Sequence, residues 1–226
     1  MCFARVSYLK AFVHELRVIA RRGGSSAHVA VLFAIVVGTA LFVLPPECIA
    51  SVMPSLFWVC GVSVMQISIR ALFEEDYYSG VLEQLLIQNL LPEIILFFKI
   101  LANWFCVAIP ISIVAMVIDF VVLGDSFTHV LVFGAILSAT LLIVNFIAAV
   151  GHALVLGGEG GLVIAQVLIF PIVVPVVVYF NLLLQALKGV VFYTYTMTLL
   201  GVGMMCLIPI SIFFVLSAIK LAVEQN

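Results

Sequence analysis

Long apolar runs alternate along the chain with short polar interruptions, and the lengths of the runs define its elements. Six runs, at about 27–44, 50–69, 94–118, 130–150, 162–186 and 196–219, each approach the roughly 20 residues that a helix needs to cross about 30 Å of hydrocarbon. Pro45 and Pro46 stop the first run, since proline cannot continue the hydrogen-bond ladder. Pro92 suits the first turn of the third. Pro171 and Pro175, on one side of the fifth, and Pro209 in the sixth free carbonyls and bend their helices, which a bundle tolerates where neighbours or water satisfy the loose groups. Such bends suit helices that shift between two packings. Ahead of the runs, Leu9, Phe12, Val13, Leu16 and Ala20 recur at helical spacing, with Ser7, Lys10, His14, Arg17 and Arg21 opposite. This predicts an amphipathic helix over 3–22 lying in the membrane interface, basic side toward anionic headgroups; a helix packed on a protein partner gives the same pattern. Gly23, Gly24, Ser25 and Ser26 predict a flexible elbow. There are no internal repeats, and residues 1–226 form one transmembrane domain.

Composition removes the soluble alternatives. Hydrophobic residues are 66% of the chain and charged ones 9%, against roughly 25% charged in ordinary soluble domains, and mean hydropathy is +1.39. The few cations are unevenly placed. With a cytoplasmic amino terminus, that face holds Arg5, Lys10, Arg17, Arg21, Arg22, Arg70, Lys99 and Lys220, and the other holds Lys188. The positive-inside bias therefore predicts both termini in the cytoplasm. No basic patch interleaved with aromatics points to nucleic acid. The early cations are scattered among apolar residues, unlike a cleavable signal peptide.

The charges that remain are concentrated. Glu74, Glu75, Asp76 and Glu83, four of the 11 acidic residues, fall within ten positions in a segment, 70–93, between the second and third runs. The second run extends through Arg70 to about Tyr77, Ser79 and Gly80 break it, and Val81 to Gln88 form a second helical piece. Leu82, Leu85 and Leu86 share one side of that piece, with Glu83, Gln84 and Gln88 toward the other. Its leucines can rest in a pocket on a partner while its polar edge stays wet, the helix-in-groove mode of recognition. A surface loop whose leucines lie on the bilayer accounts for the pattern equally well.

The sequence carries no chemistry of its own. A phosphate-cradling loop needs glycines followed by Lys and Ser or Thr; Gly157-Gly158-Glu159-Gly160-Gly161 has no Lys and reads as a cytoplasmic turn. No G-x-S-x-G elbow or H-E-x-x-H motif is present. His14, His28, His129 and His152 are not spaced as metal or haem pairs; His129, beside the outer face, is the candidate if one touches haem. Cys2, Cys48, Cys60, Cys106 and Cys206 stand alone. Ionisable groups at mid-membrane would mark an ion path. Lys99, about one and a half turns into its run, is within snorkelling reach of the cytoplasmic interface, and Asp119 lies at the outer end, so a proton-coupled carrier is disfavoured and the energy comes from elsewhere.

Particular residues of the polar segment match a known family. L-F-x-x-D at Leu72, Phe73 and Asp76, then G-x-L-E-Q-L at Gly80, Leu82, Glu83, Gln84 and Leu85, then Lys99 and Trp104 resemble the CcmB family, the membrane (permease) subunit of the ABC-type complex for cytochrome c maturation. The likeness extends to Glu15-Leu16-Arg17 on the first helix and the Pro171/Pro175 pair. The resemblance implies an all-α membrane fold, an ABC-2-like permease of six transmembrane helices behind an amphipathic interfacial one, without an ATPase motif. It implies that Leu72, Phe73, Glu74, Glu75, Asp76, Gly80, Leu82, Glu83, Gln84, Leu85 and Leu86 form the element coupling the chain to an ABC ATPase subunit (CcmA-like) that binds ATP. The other implied partners are a haem-handling membrane protein (CcmC-like), a small membrane subunit (CcmD-like) and a periplasmic haem chaperone (CcmE-like), with haem as cargo of the complex and this chain a homodimer within it. The family often has basic residues in the turn before the fifth span, where this chain has Glu159. An ABC-2-type permease for a lipid-linked glycan or a drug, and a non-transporting membrane assembly protein, share the same broad features.

Overall fold

The structure, a computed structural model, describes residues 12–20, 24–87, 92–124, 126–158, 161–187 and 193–224. Arg5, Lys10, Arg21, Arg22, Gln88, Asp125, Glu159 and Lys188 lie outside the described residues. Within them, every regular element is helical. Helix α1 covers 12–20, followed by α2 (Gly24–Val43), α3 (Pro46–Tyr78), α4 (Val81–Ile87), α5 (Pro92–Ile118), a π-helical turn (Asp119–Leu123), α6 (Phe127–Ala153), α7 (Gly161–Leu187) and α8 (Tyr193–Glu224).

Proline and glycine set these boundaries much as expected. Helix α2 ends at Val43, two residues before Pro45, and Pro46 opens α3 at its first position, where a missing N–H breaks no intrahelical bond. Pro92 opens α5 in the same way. Gly24, Ser25 and Ser26 are helical, so the expected elbow is already the first turn of α2. Helix α7 continues through Pro171 and Pro175, and α8 through Pro209.

Among the described residues, five helices, α3, α5 with its π turn, α6, α7 and α8, are long and apolar enough to cross a membrane. Helix α2 is a 20-residue helix whose residues Val31–Val43 form a shorter apolar stretch. At 33 residues, α3 is roughly 50 Å long, well beyond the hydrocarbon thickness. Its charged last turns, from Arg70 to Tyr78, follow the apolar stretch of the helix.

Helix α6 is the axis of the bundle, packing against α3, α5, α7 and α8. It is 67% buried over its apolar stretch, against 39% or less for the other four. Small residues permit that central position, because helices without a hydrophobic drive between them associate by close backbone approach. A side chain at Gly134 would collide with Met116 of α5, one at Gly151 with Ile169 of α7, and one at Gly61 of α3 would press on Leu141 of α6.

Candidate functional site

Two sets of buried polar side chains join helices at different depths of the bundle. The deeper level joins α3, α5 and α6. Ser68 Oγ donates to Asn103 Oδ1 (2.8 Å), Asn103 Nδ2 donates to Asn145 Oδ1 (3.0 Å), and Asn145 Nδ2 donates to the carbonyl of Ile100 (2.7 Å). All three side chains are buried. Interhelical hydrogen bonds of this kind contribute about 0.6 kcal/mol each on average, but an orphaned buried amide costs about 1–3 kcal/mol, so the ladder fixes the register of three helices. Sequence reasoning missed it; the signal was there in two asparagines set within otherwise apolar runs.

The second level lies nearer the end of α3. Lys99 of α5 is 4% exposed and forms an ion pair with Asp76 of α3, which is fully buried. Glu15 of α1 approaches the same ammonium at 3.9 Å. This corrects the expectation that Lys99 reaches out to the interface. A carboxylate of its own chain meets it inside the bundle, and burying both charges is tolerable only because each has its partner.

Glu15 also explains a second difference. Phe12, Glu15, Leu16 and Ile19, spaced i, i+3, i+4, i+7, form the inward side of α1, while Val13 and Ala20 are exposed. Phe12 meets Phe98 and Phe105 with ring centroids 5.6 and 5.9 Å apart. The described part of α1 thus packs on α5 of its own chain.

Beyond Asp76 the chain turns sharply. The Ser79 N–H donates to the Glu75 carbonyl at 3.0 Å and the Gly80 N–H to the Tyr77 carbonyl at 3.1 Å. Gly80 takes φ +72°, the left-handed conformation that ends a helix without a Cβ penalty. Helix α4 begins at once, its Gln84 N–H bonding to the Gly80 carbonyl at 3.2 Å.

The residues expected to grip a partner divide at this elbow. Leu72, Phe73, Asp76, Leu82 and Leu85 are buried within the chain itself. Helix α4 packs on α3 and α8, so the leucine side expected to fill a partner's pocket is turned into the bundle. Glu75, Glu83 and Gln84 are exposed, as is Ile87, while Glu74, Gly80 and Leu86 are half-buried. The surface open to another protein is therefore a polar edge of α4 with Ile87 at its end.

Beside the elbow lies a cavity of about 310 Å³, walled by the end of α3 (Arg70, Glu74, Tyr77) and the end of α6 with its turn (His152, Gly157). Arg70 Nε donates to Glu74 Oε1 at 2.7 Å. Gly157, at φ +77°, lies so close under Tyr77 that a Cβ would strike its hydroxyl. Among the described residues no cluster of three His, Cys, Asp or Glu side chains could hold a metal ion.

A bundle of long apolar helices, with the short helix α4 packed on two of them and polar groups joining helices inside it, has the architecture of a multi-pass membrane protein. The family model described as "CcmB protein" matches residues 6–222, and the chain belongs to the CcmB family. It is 24% identical over 226 residues to a Haemophilus influenzae protein named Heme exporter protein B, covering 96% of this chain and 99% of that one. Proteins of the same name from Pseudomonas aeruginosa (27% over 175 residues; 76% of this chain, 78% of that one) and Escherichia coli K12 (26% over 177 residues; 76% and 79%) are also similar.

Proposed function

We propose that this chain is the membrane subunit of a haem-export complex serving cytochrome c biogenesis, and that a separate ABC ATPase subunit drives it by pressing on the elbow between α3 and α5. The family match over residues 6–222 carries the first part. The second part is supported by the elbow's construction. Glu83 and Gln84 offer a wet edge for docking, while Leu82 and Leu85 bind α4 to α3 and α8. A push on α4 is thus delivered to two long helices. In this reading Asp76 and Lys99 join α3 to α5, so that the two tilt together, and Glu15 ties α1 into the same movement.

The full arrangement is six spans, α2 included, in the bacterial inner membrane with both termini and the elbow cytoplasmic. The distribution of cations supports this orientation. The partners are the ATPase, a haem-handling membrane protein, a small membrane subunit and a periplasmic haem chaperone, around a pair of these chains. ATP hydrolysis on the partner releases haem, or the haem-loaded chaperone, on the outer face. Affinity purification of the tagged chain with mass spectrometry of its companions tests this reading. An ABC ATPase should co-purify with the wild type and be depleted with Glu83→Arg at unchanged membrane yield. Equal recovery from both would remove α4 as the docking site, and companions from polysaccharide export would replace the haem assignment.

A further inference from the structure

The cavity beside the elbow shares wall residues with a second pocket, which shares others with a third. Arg70, Glu74 and His152 also line a pocket of about 270 Å³, which shares Gln66, Ile67 and Gln166 with an apolar cleft of about 580 Å³ between α3 and α7. That cleft runs past Trp58 and Phe170 to Val178. Along α3 the three follow one another as a groove, polar and charged at the Arg70 end and apolar at the Trp58 end.

Its depth matches a lipid. Arg70 lies roughly 36 Å along α3 from Pro46, which places it at headgroup level beyond about 30 Å of hydrocarbon. Trp58 lies roughly 18 Å back along the same helix, among the acyl chains. The polar end offers groups of both signs. Arg70 spends one N–H on Glu74, and its other donors have no partner among the described residues. His152 is 3% exposed, and its Nε2 has no hydrogen-bond partner among the described residues. The Glu74 carboxylate stands beside them with the rings of Tyr77 and Tyr78, which can face a cation.

We infer that this groove binds a phospholipid with a zwitterionic, primary-ammonium headgroup, phosphatidylethanolamine in chemical class. Arg70 and His152 take the phosphate, Glu74 and the tyrosines take the ammonium, and the acyl chains lie between α3 and α7. A purely anionic headgroup would leave Glu74 facing a negative charge, and a trimethylated one would leave it without a hydrogen-bond donor. The inference stands on these side chains and is independent of the haem reading.

Native mass spectrometry of the purified full chain tests it, in mixed micelles containing equal phosphatidylethanolamine, phosphatidylglycerol and phosphatidylcholine. One charge-assisted hydrogen bond corresponds to about tenfold in affinity, so phosphatidylethanolamine should be retained about tenfold over the other two. Glu74→Gln should reverse the order in favour of phosphatidylglycerol, and Arg70→Gln should lower retention of all three. A reversal of preference is an outcome that misfolding does not produce. Equal retention by the wild type, an order unchanged in Glu74→Gln, or displacement of the lipid by a dicarboxylated porphyrin at equal concentration would overturn the inference.

Discussion

Replacing Lys99 with methionine removes the cation that, among the described residues, pairs with carboxylates of α1 and α3, and leaves those two carboxylates behind. Asp76 is fully buried, Lys99 is 4% exposed, and the Glu15 side chain is 16% exposed at 3.9 Å from the ammonium. Deleting one partner of a buried pair costs about 3–5 kcal/mol, because the survivor keeps an uncompensated charge out of water. Lys99→Met should therefore destabilise the bundle by about that much. Asp76→Asn should cost less, since Glu15 still faces Lys99. Glu15→Gln, at the limit of the contact and more exposed, should cost about 1 kcal/mol or less. The double variant Lys99→Met/Asp76→Asn should be less damaged than the sum of its parts by about 1–3 kcal/mol. Unfolding by SDS in mixed micelles, followed by far-ultraviolet circular dichroism, measures all four. If Lys99→Met unfolds within about 0.5 kcal/mol of the wild type, the charges are in water and α3 and α5 are not joined in this way.

Three further outcomes follow from the geometry. Gly80→Val should destabilise the elbow by about 1–2 kcal/mol, the strain of a left-handed conformation, although a Cβ there would touch nothing; cytochrome c yield should fall while Gly80→Asn retains it. Leu82→Arg should lower the yield of folded protein, because Leu82 is 1% exposed and an arginine there would bury an unpaired charge. Asn145→Leu should cost about 1–3 kcal/mol by leaving the Asn103 amide without its acceptor, read in the same SDS titration.

Much of the fold can be read along the chain, because each boundary has a local cause. Pro46 and Pro92 each open a helix, and Gly80 alone reaches the conformation that turns α3 into α4. What could not be read was direction. In the pattern of α4 the leucine side fits a partner's pocket, the bilayer, or the chain's own bundle equally well, and only the position of α8 decides for the bundle. The pattern of α1 likewise gave no side to Glu15, a charged residue facing inward, because its reason for being there, Lys99, is 84 positions away in the chain. The asparagine ladder was hidden for a related cause. Single polar residues in apolar runs reveal that a contact exists, but the partners of Asn145 lie on other helices.

The most direct measurement is photo-crosslinking from position 83 in intact cells that co-express the ABC ATPase subunit. The exposed edge of α4 predicts an adduct between this chain and the ATPase, formed on the cytoplasmic side. An adduct with a periplasmic protein, or none with the ATPase when the complex is otherwise assembled, would contradict the account.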